Sequence, residues 1–418
     1  MKRLYCFWAF MMVLLVPCAA QQDYSYEQLS GICRVYPDVD QPVTAPPRGY
    51  KPFYISHLGR HGSRWQVSES VYSTPLEIME KAASLGVLTP LGEEVLSDVR
   101  TVCSHAAGRE GELTQRGEVE HRHIAERMYR HYPHVFKGKG RKVDVQSSAR
   151  VRSLVSGVFA SERLKEINPA LEVSRCAAPV NWDSIFVLSA SRQIGDSLKA
   201  LGRRGSSRIA RIAKPEPLVS RLFTDGSFLP EGERWKILYG LYLLAEDTKA
   251  AGLDSIDLFR ALPKEEIFPL WEYENAMFYY RQCNSSEFGR YALSDGVRVL
   301  KRIIREGDAA IAGNGVAANL RYGHDQNVAT LGALMGIRGC GDVPEKDYSD
   351  IKNVFRDFEN VPMACNIQLV FFRKKGSPVL VKVLLNEEEA TLGCEPASWP
   401  FYRWDTLKAY FNTKINSQ

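Results

Sequence analysis

Hydrophobic and polar positions change period several times along this chain. A β-branched and aromatic run at Pro52-Phe53-Tyr54-Ile55-Ser56 reads as a buried strand, after a Pro-rich lead-in over 42–52. The glycine-punctuated turn Gly59-Arg60-His61-Gly62-Ser63-Arg64 follows directly. A second strand is expected over 142–146, running into Ser147-Ser148 and a helix over about 150–167. A third, over 309–322, ends at Gly323-His324-Asp325. Behind it Val328, Leu331, Leu334, Met335 and Ile337 recur at helical spacing. Late strands are expected over 366–372 and 378–385, and a helix near 404–411 closes the chain.

Strands alternating with helices at long separations predict an α/β fold, a central mostly parallel sheet with helices on both faces. The stretch 182–291 lacks strand patterns and is dominated by helical ones such as 235–249, so it reads as a mostly helical cap. The expected division is an α/β catalytic domain from 21–181 and 292–418, with the cap at 182–291. No internal repeat is present. In open α/β sheets ligands bind at the carboxyl ends of strands. Three polar clusters, 60–64, 147–152 and 323–327, each follow a strand and precede a helix, and that shared placement predicts that they meet.

The N-terminus changes the picture of where the chain works. Lys2 and Arg3 precede an apolar run over 4–16, and Cys18, Ala19 and Ala20 lead into Gln21, Gln22 and Asp23. That order is the pattern of a secretory signal peptide over 1–20, with cleavage after Ala20 the leading site and a periplasmic or secreted product. The run is short for a permanent membrane anchor, and Pro17 fits a lipoprotein signal at Cys18 poorly. Loss of Lys2 and Arg3 lowers the formal charge from +5 to +3. Affinity for anions must therefore come from a local cluster. Seven cysteines remain, an odd number that leaves at least one thiol free or paired between chains if export brings disulfides, with connectivity open.

Each cluster alone has an ordinary reading: a surface Arg-His turn, a solvated basic helix start at Arg150 and Arg152, a structural His-Asp pair. Together they carry a chemistry. Arginine forks match phosphate oxygens, and a glycine beside a helix N-terminus lets an anion approach the backbone. A neutral, oriented imidazole in that setting can attack phosphorus. Arg150 and Arg152 point in different directions on a helix, so one of them reaches the anion. A carboxyl group beside a bound anion can hold a proton and pass it to a leaving oxygen.

With these residues the chain resembles the histidine acid phosphatases, the branch with phytases, glucose-1-phosphatases and multiple inositol polyphosphate phosphatases. Arg60-His61-Gly62-Ser63-Arg64 is similar to the family signature, which usually has proline where Gln66 stands here. Arg152, with Ser156 four residues on, fits the family's third arginine better than Arg150 does. Leu113-Thr114, Gly117 and the helix through Tyr129 match a further segment, and Gly323-His324-Asp325-Gln326-Asn327 matches the acid motif. The resemblance implies His61 as nucleophile, Arg60, Arg64, Arg152 and His324 as phosphate ligands, and Asp325 as proton donor, with no metal or other cofactor. It implies an α/β domain under a mostly helical one. The implied substrate is a small phosphomonoester, first an inositol polyphosphate, alternatively a sugar phosphate or a broad range. His324-Asp325 is the form of the family's phytases and acid phosphatases, whereas the multiple inositol polyphosphate phosphatases carry His-Ala-Glu. A protein that binds phosphorylated ligands without turnover is the remote rival, and intact His61 and Asp325 count against it.

Other features carry less. His121, His123, His131 and His134 lie on or beside one helix without the i, i+4 spacing that zinc prefers. No GxxxxGK loop is present. The basic stretch 202–211 lacks interleaved aromatics, so nucleic acid is not an expected partner, nor is stable membrane insertion.

Overall fold

Strand β1 (Lys51–Arg60) alternates between two cores: Tyr54 and Leu58 face one, Ile55 the other. A strand buried on both faces belongs in the middle of a sheet. The computed structural model describes residues 24–38, 42–177, 185, 195–341 and 348–418. The leader expected over 1–20, 178–181 at the end of the first catalytic stretch, and 182–184 and 186–194 in the expected cap lie outside the described residues, as do the side chains of Arg204, Arg208 and Arg211.

The other strands are β2 (Lys142–Ser147), β3 (Glu172–Cys176), β4 (Val316–Gly323), β5 (Asn366–Arg373), β6 (Leu380–Leu385), β7 (Glu388–Glu389) and β8 (Phe401–Arg403). They form one sheet in the order β3-β2-β4-β1-β5-β6-β7, with β8 paired to β6. β1 to β4 run parallel, and β5 returns antiparallel beside β1. This is the mostly parallel sheet expected. On one face, Leu300, Ile303, Leu331, Leu407 and Phe411 of three helices pack on Tyr54, Leu58, Leu369 and Phe371. On the other, Ala125 and Met128 of the helix Gln115–His131 and Ala160 and Leu164 of the helix Val151–Ile167 cover Ile55, Val143, Val145 and Leu320.

One element departs from expectation. The strand expected over 309–322 begins only at Val316, because 309–312 finish the helix Gly289–Ala312. Its buried positions Leu300, Ile303, Ile304, Gly307 and Ala310 keep helical spacing, and Gly313, at φ 91°, ends it in the left-handed region. The run Ala309-Ala310-Ile311-Ala312 is apolar in either period, so pattern alone misplaces the boundary. The short edge strand β3, mostly exposed, carried no clear signal.

A third core lies above the carboxyl ends of the parallel strands. Met79, Val95 and Val99 from the helices Ser70–Ser84 and Pro90–Ala106 share it with Leu238, Leu241, Leu270 and Trp271 from the helices Glu231–Ala251 and Lys264–Gln282. The helical layer thus draws on chain before β2 as well as on the stretch after residue 195. Among the described residues no helix is long and apolar enough to cross a membrane. Cys33, Cys103, Cys283, Cys365 and Cys394 stand as thiols.

Candidate active site

The parallel register aligns the ends of β1, β2 and β4: Arg60 lies opposite Gly323, and Ser147 opposite Tyr322. Backbone bonds then tie the three following turns together. His61 N donates to Gly323 O (3.0 Å) and Ser148 N to Tyr322 O (3.0 Å). Ser153 Oγ, on the first turn of the helix Val151–Ile167, donates to the same Gly323 O (3.1 Å). The three clusters meet.

His61 is buried, and its Nδ1 lies 2.9 Å from the carbonyl oxygen of Gly62. A carbonyl oxygen only accepts, so Nδ1 carries the proton and Nε2 keeps its lone pair. Burial, then the charges of Arg60, Arg152, His324 and Arg64, hold the His61 pKa well below the ordinary imidazole value, so the ring is neutral. Gly62 must be glycine, since a Cβ there would come within 2.5 Å of Gly117 O. Gly62 N donates to Ser156 Oγ (3.2 Å). Beneath the turn, Glu120 accepts from Ser63 N (2.7 Å), Ser63 Oγ (2.7 Å) and Tyr36 N (3.1 Å).

The arginines are held by different means. Arg60, wholly buried, donates from Nη1 to Ile32 O (2.6 Å) and Val361 O (2.9 Å), and its Nη2 pairs with Asp325 Oδ2. Arg64 Nη1 donates to Trp65 O (3.0 Å) and Gln66 Oε1 (3.2 Å). Gln66, standing where the family pattern has proline, also donates its backbone N–H to Tyr72 Oη (2.7 Å), which a proline could not do. Tyr72 Oη in turn donates to Asp247 Oδ2 (2.7 Å). Arg152 is half-buried, and burial followed by the charges of Arg64, Arg60 and Arg150 pushes its pKa down to about 10. Arg150 is the exposed cap residue of that helix. Nε of Arg64, Nε of Arg152 and Oγ of Ser147 are buried without a hydrogen-bond partner among the described residues. Such crowding of cations favours a doubly charged, fork-matching anion.

His324 caps the helix Asp325–Met335, its N–H donating to Asn327 Oδ1 (2.9 Å). Its ring sits 5.5 Å from that of His61, and its Nε2 is 3.2 Å from Ser148 Oγ. Burial takes its pKa down to about 4, against the pull of Asp325. For Asp325, burial pushes upward, but Arg60, His324, the Gln326 N–H at 2.7 Å and Arg64 together hold the carboxyl below the usual aspartate value. A cavity of about 270 Å³ opens beside Asp325 and Arg64 under the helical layer.

All six residues singled out in the sequence therefore lie together, with Arg150 exposed at the cap of its helix. Glu120 was not singled out, and Gln66, Ser148 and Asn327 were named only within their motifs, with no role at the site. Glu120 left one trace: a charged residue on the stripe Gly117, His121, Ile124 that its helix buries. Of the other histidines, His121 is buried edge-on to Tyr322 and His123 and His134 are exposed. Among the described residues no group of three His, Cys, Asp or Glu side chains could hold a metal ion.

No family model matches the chain, and no curated protein matches it in sequence. Solved structures do. The Bifidobacterium longum multiple inositol polyphosphate phosphatase in complex with phosphate is similar at 18% identity, over 93% of this chain and 98% of that one, with a TM-score of 0.78. The phytase from D. castellii is similar at 12% identity over 97% and 90%, with a TM-score of 0.70. The Hafnia alvei phytase in complex with tartrate is similar at 12% identity over 88% and 98%, with a TM-score of 0.52. These are histidine acid phosphatases, and this chain has their fold.

Proposed function

We propose that this chain, built on the histidine acid phosphatase fold, hydrolyses phosphomonoesters through a phosphohistidine on Nε2 of His61. The observation that carries the reading is the His61 Nδ1–Gly62 O bond within a ring of arginines. It leaves one nitrogen free, neutral and aimed, which is what a nucleophile needs. Arg60, Arg64, Arg152 and His324 would take the non-bridging oxygens and the charge that builds on them.

In the first step the Nε2 lone pair attacks phosphorus, the ester P–O bond breaks, and the Asp325 proton passes to the departing oxygen. The phosphorylated ring is cationic, and the Gly62 carbonyl steadies its Nδ1–H. In the second step water attacks phosphorus, the N–P bond breaks, and Asp325 takes the water proton. Inorganic phosphate leaves and His61 is neutral again.

The structural likeness to an inositol polyphosphate phosphatase and to phytases supports an inositol phosphate substrate. The buried carboxyl groups Glu246, Glu274 and Asp357 beside Asp325, able to hydrogen-bond hydroxyls, fit the second reading, a sugar phosphate. Export to the periplasm or the medium belongs to the same proposal and is supported by the basic, apolar and small-residue order over 1–20.

The test is His61→Ala on p-nitrophenyl phosphate, with circular dichroism to confirm the fold. Turnover should vanish. Wild-type enzyme quenched in alkali after brief exposure to labelled substrate should carry phosphate that acid releases. Substantial activity in the variant would overturn the covalent mechanism.

A further inference from the structure

A second depression opens at the opposite end of the sheet from His61. It has a volume of about 560 Å³ and lies between the first residues of β1 and β4, the last of β5 and the turn that leads to β6. The ten residues of β1 separate it from the active site by about 30 Å of strand. No residue named at the active site lines it.

Its charge is of one sign. Lys51, Arg141, Arg373, Lys374 and Lys375 line it together with the imidazole of His134, and no carboxyl group among the described residues does. The segments that build it, 49–53, 134–141, 310–316 and 373–375, lie wholly within the described residues. The chain carries 54 basic and 49 acidic residues, so a rim of mixed sign would be the ordinary outcome. None of the five Lys and Arg side chains has an ion-pair partner among the described residues. Two carboxylates of neighbouring elements stand outside the lining. Asp308 accepts from Trp404 Nε1 (2.7 Å) and Lys408 Nζ (3.1 Å), and Glu172 sits beside Gly140.

Packing holds these cations in place. Lys51 lies directly opposite Arg373 in the β1–β5 ladder, where like charges repel. Arg141 approaches the same guanidinium: burial, then the charge of Arg141, lowers the Arg373 pKa. Arg373 rests on the Phe53 ring, 3.5 Å from its centroid, and donates from Nη2 to Ala310 O (3.3 Å). Arg141 donates from Nε to Lys137 O (3.3 Å), which leaves its two terminal nitrogens for a ligand. Gly49, at φ 88°, makes room for the stem of Lys374, which would come within 3.3 Å of a Cβ there. Tyr50 Oη donates to Pro378 O (3.0 Å) and Ser377 N to Lys374 O (3.1 Å), fixing the turn after β5 against the lead-in to β1. Like charges held together in this way are relieved by solvent or by a bound anion.

Arginine forks match the paired oxygens of a phosphate, and lysine adds point charge. The depression falls in the range of small-molecule sites, roughly 300–1,000 Å³, and its cations come from three separate segments. A single phosphate would leave most of them unmet.

We infer that this depression is a second anion site, for a small molecule or a lipid headgroup that bears two or more phosphate groups. Lys51, Arg141, Arg373 and Lys374 hold the phosphates. The site stands whether or not the phosphatase reading does.

The experiment maps protection of lysines from acetylation by mass spectrometry, with tripolyphosphate as probe and His61→Ala as the protein, so that the probe is not consumed. Tripolyphosphate should slow acetylation of Lys51, Lys374 and Lys375 about fivefold or more, and leave Lys81 and Lys199 elsewhere on the surface within about twofold. Adding Arg141→Gln with Arg373→Gln should raise the probe's Kd at the protected lysines about tenfold or more. The same two substitutions in the otherwise wild-type chain should leave kcat/KM on p-nitrophenyl phosphate within about twofold. A control pair of equal charge, Arg100→Gln with Lys236→Gln, should leave the protection unchanged. Sedimentation with phosphatidylcholine vesicles, with and without cardiolipin, separates the two sources. Cardiolipin-dependent binding that the Arg141 and Arg373 substitutions abolish assigns a headgroup, and protection by tripolyphosphate without vesicle binding assigns a soluble ligand. Uniform slowing at every lysine, equal weakening by the control pair, or neither protection nor arginine-dependent vesicle binding would overturn the inference.

Discussion

Nη2 of Arg60 lies 3.1 Å from Oδ2 of Asp325, so the proposed proton donor is paired with a proposed phosphate ligand. The pair holds Asp325 ionised. A doubly charged tetrahedral anion engaging Arg60, Arg64 and Arg152 weakens that hold, and the Asp325 pKa rises. Sulfate binding at pH 5 should therefore take up a fraction of a proton up to about one. Calorimetry in buffers of different ionisation heat measures it. Asp325→Asn should lose most of the uptake, and wild-type binding without uptake would contradict the switch.

The same carboxyl separates substrates by leaving group. Loss of a general acid costs roughly 10²–10⁴-fold where the departing oxygen needs a proton. Asp325→Asn should lose that much on glycerol phosphate and far less on p-nitrophenyl phosphate, whose phenolate leaves unaided. In wild type, kcat on glycerol phosphate should fall as pH rises and Asp325 loses its proton in the complex. Equal losses on both esters would make Asp325 a positioning residue.

Arg152 and Arg150 are two residues apart, yet one is half-buried in the site and the other exposed at the helix cap. Arg152→Ala should raise the inhibition constant of inorganic phosphate by about 10²-fold, the scale of a lost charge-assisted bond. Arg150→Ala should change it by about threefold at most. The reverse pattern would mean that the helix start is misread.

Gln66 invites a substitution that restores the family pattern. Gln66→Pro removes the N–H that reaches Tyr72 Oη and the side chain that faces Arg64. The variant should lose about 1–3 kcal/mol of stability, read as a lower urea midpoint, and bind phosphate more weakly. Unchanged stability would show that the Gln66–Tyr72–Asp247 chain contributes nothing.

Asp357 predicts how stability changes with pH. It is buried, accepts from Trp271 Nε1 (3.0 Å) and Phe358 N (2.7 Å), and burial raises it from 3.8 to about 7. A raised folded value means that the folded state binds the proton more tightly. The stabilisation is complete below the unfolded value and is lost as pH rises through about 7. Between pH 5 and 8 wild type should lose on the order of 2 kcal/mol more than Asp357→Asn, measured by chemical denaturation at each pH. Parallel pH profiles would refute it.

What the sequence alone determined is local. Arg60 to Arg64 and His324-Asp325 stand out because strand periodicity stops at each and a helix starts behind it, and a strand end carries its chemistry within a few residues. The sheet was legible from the same alternation. At Ala309–Ala312 it was not, because an apolar run too short to show a period fits either element. Everything that sets the protonation of the site is long-range. Arg60 meets Asp325, Ser63 meets Glu120, and Tyr72 meets Asp247 across separations of 265, 57 and 175 residues. The cavity beside Asp325 joins residues from Gly31 to Asp357. Burial and Coulomb interactions depend on distance in space, which the order of residues does not state. The tertiary structure therefore decided which carboxyl groups keep their protons.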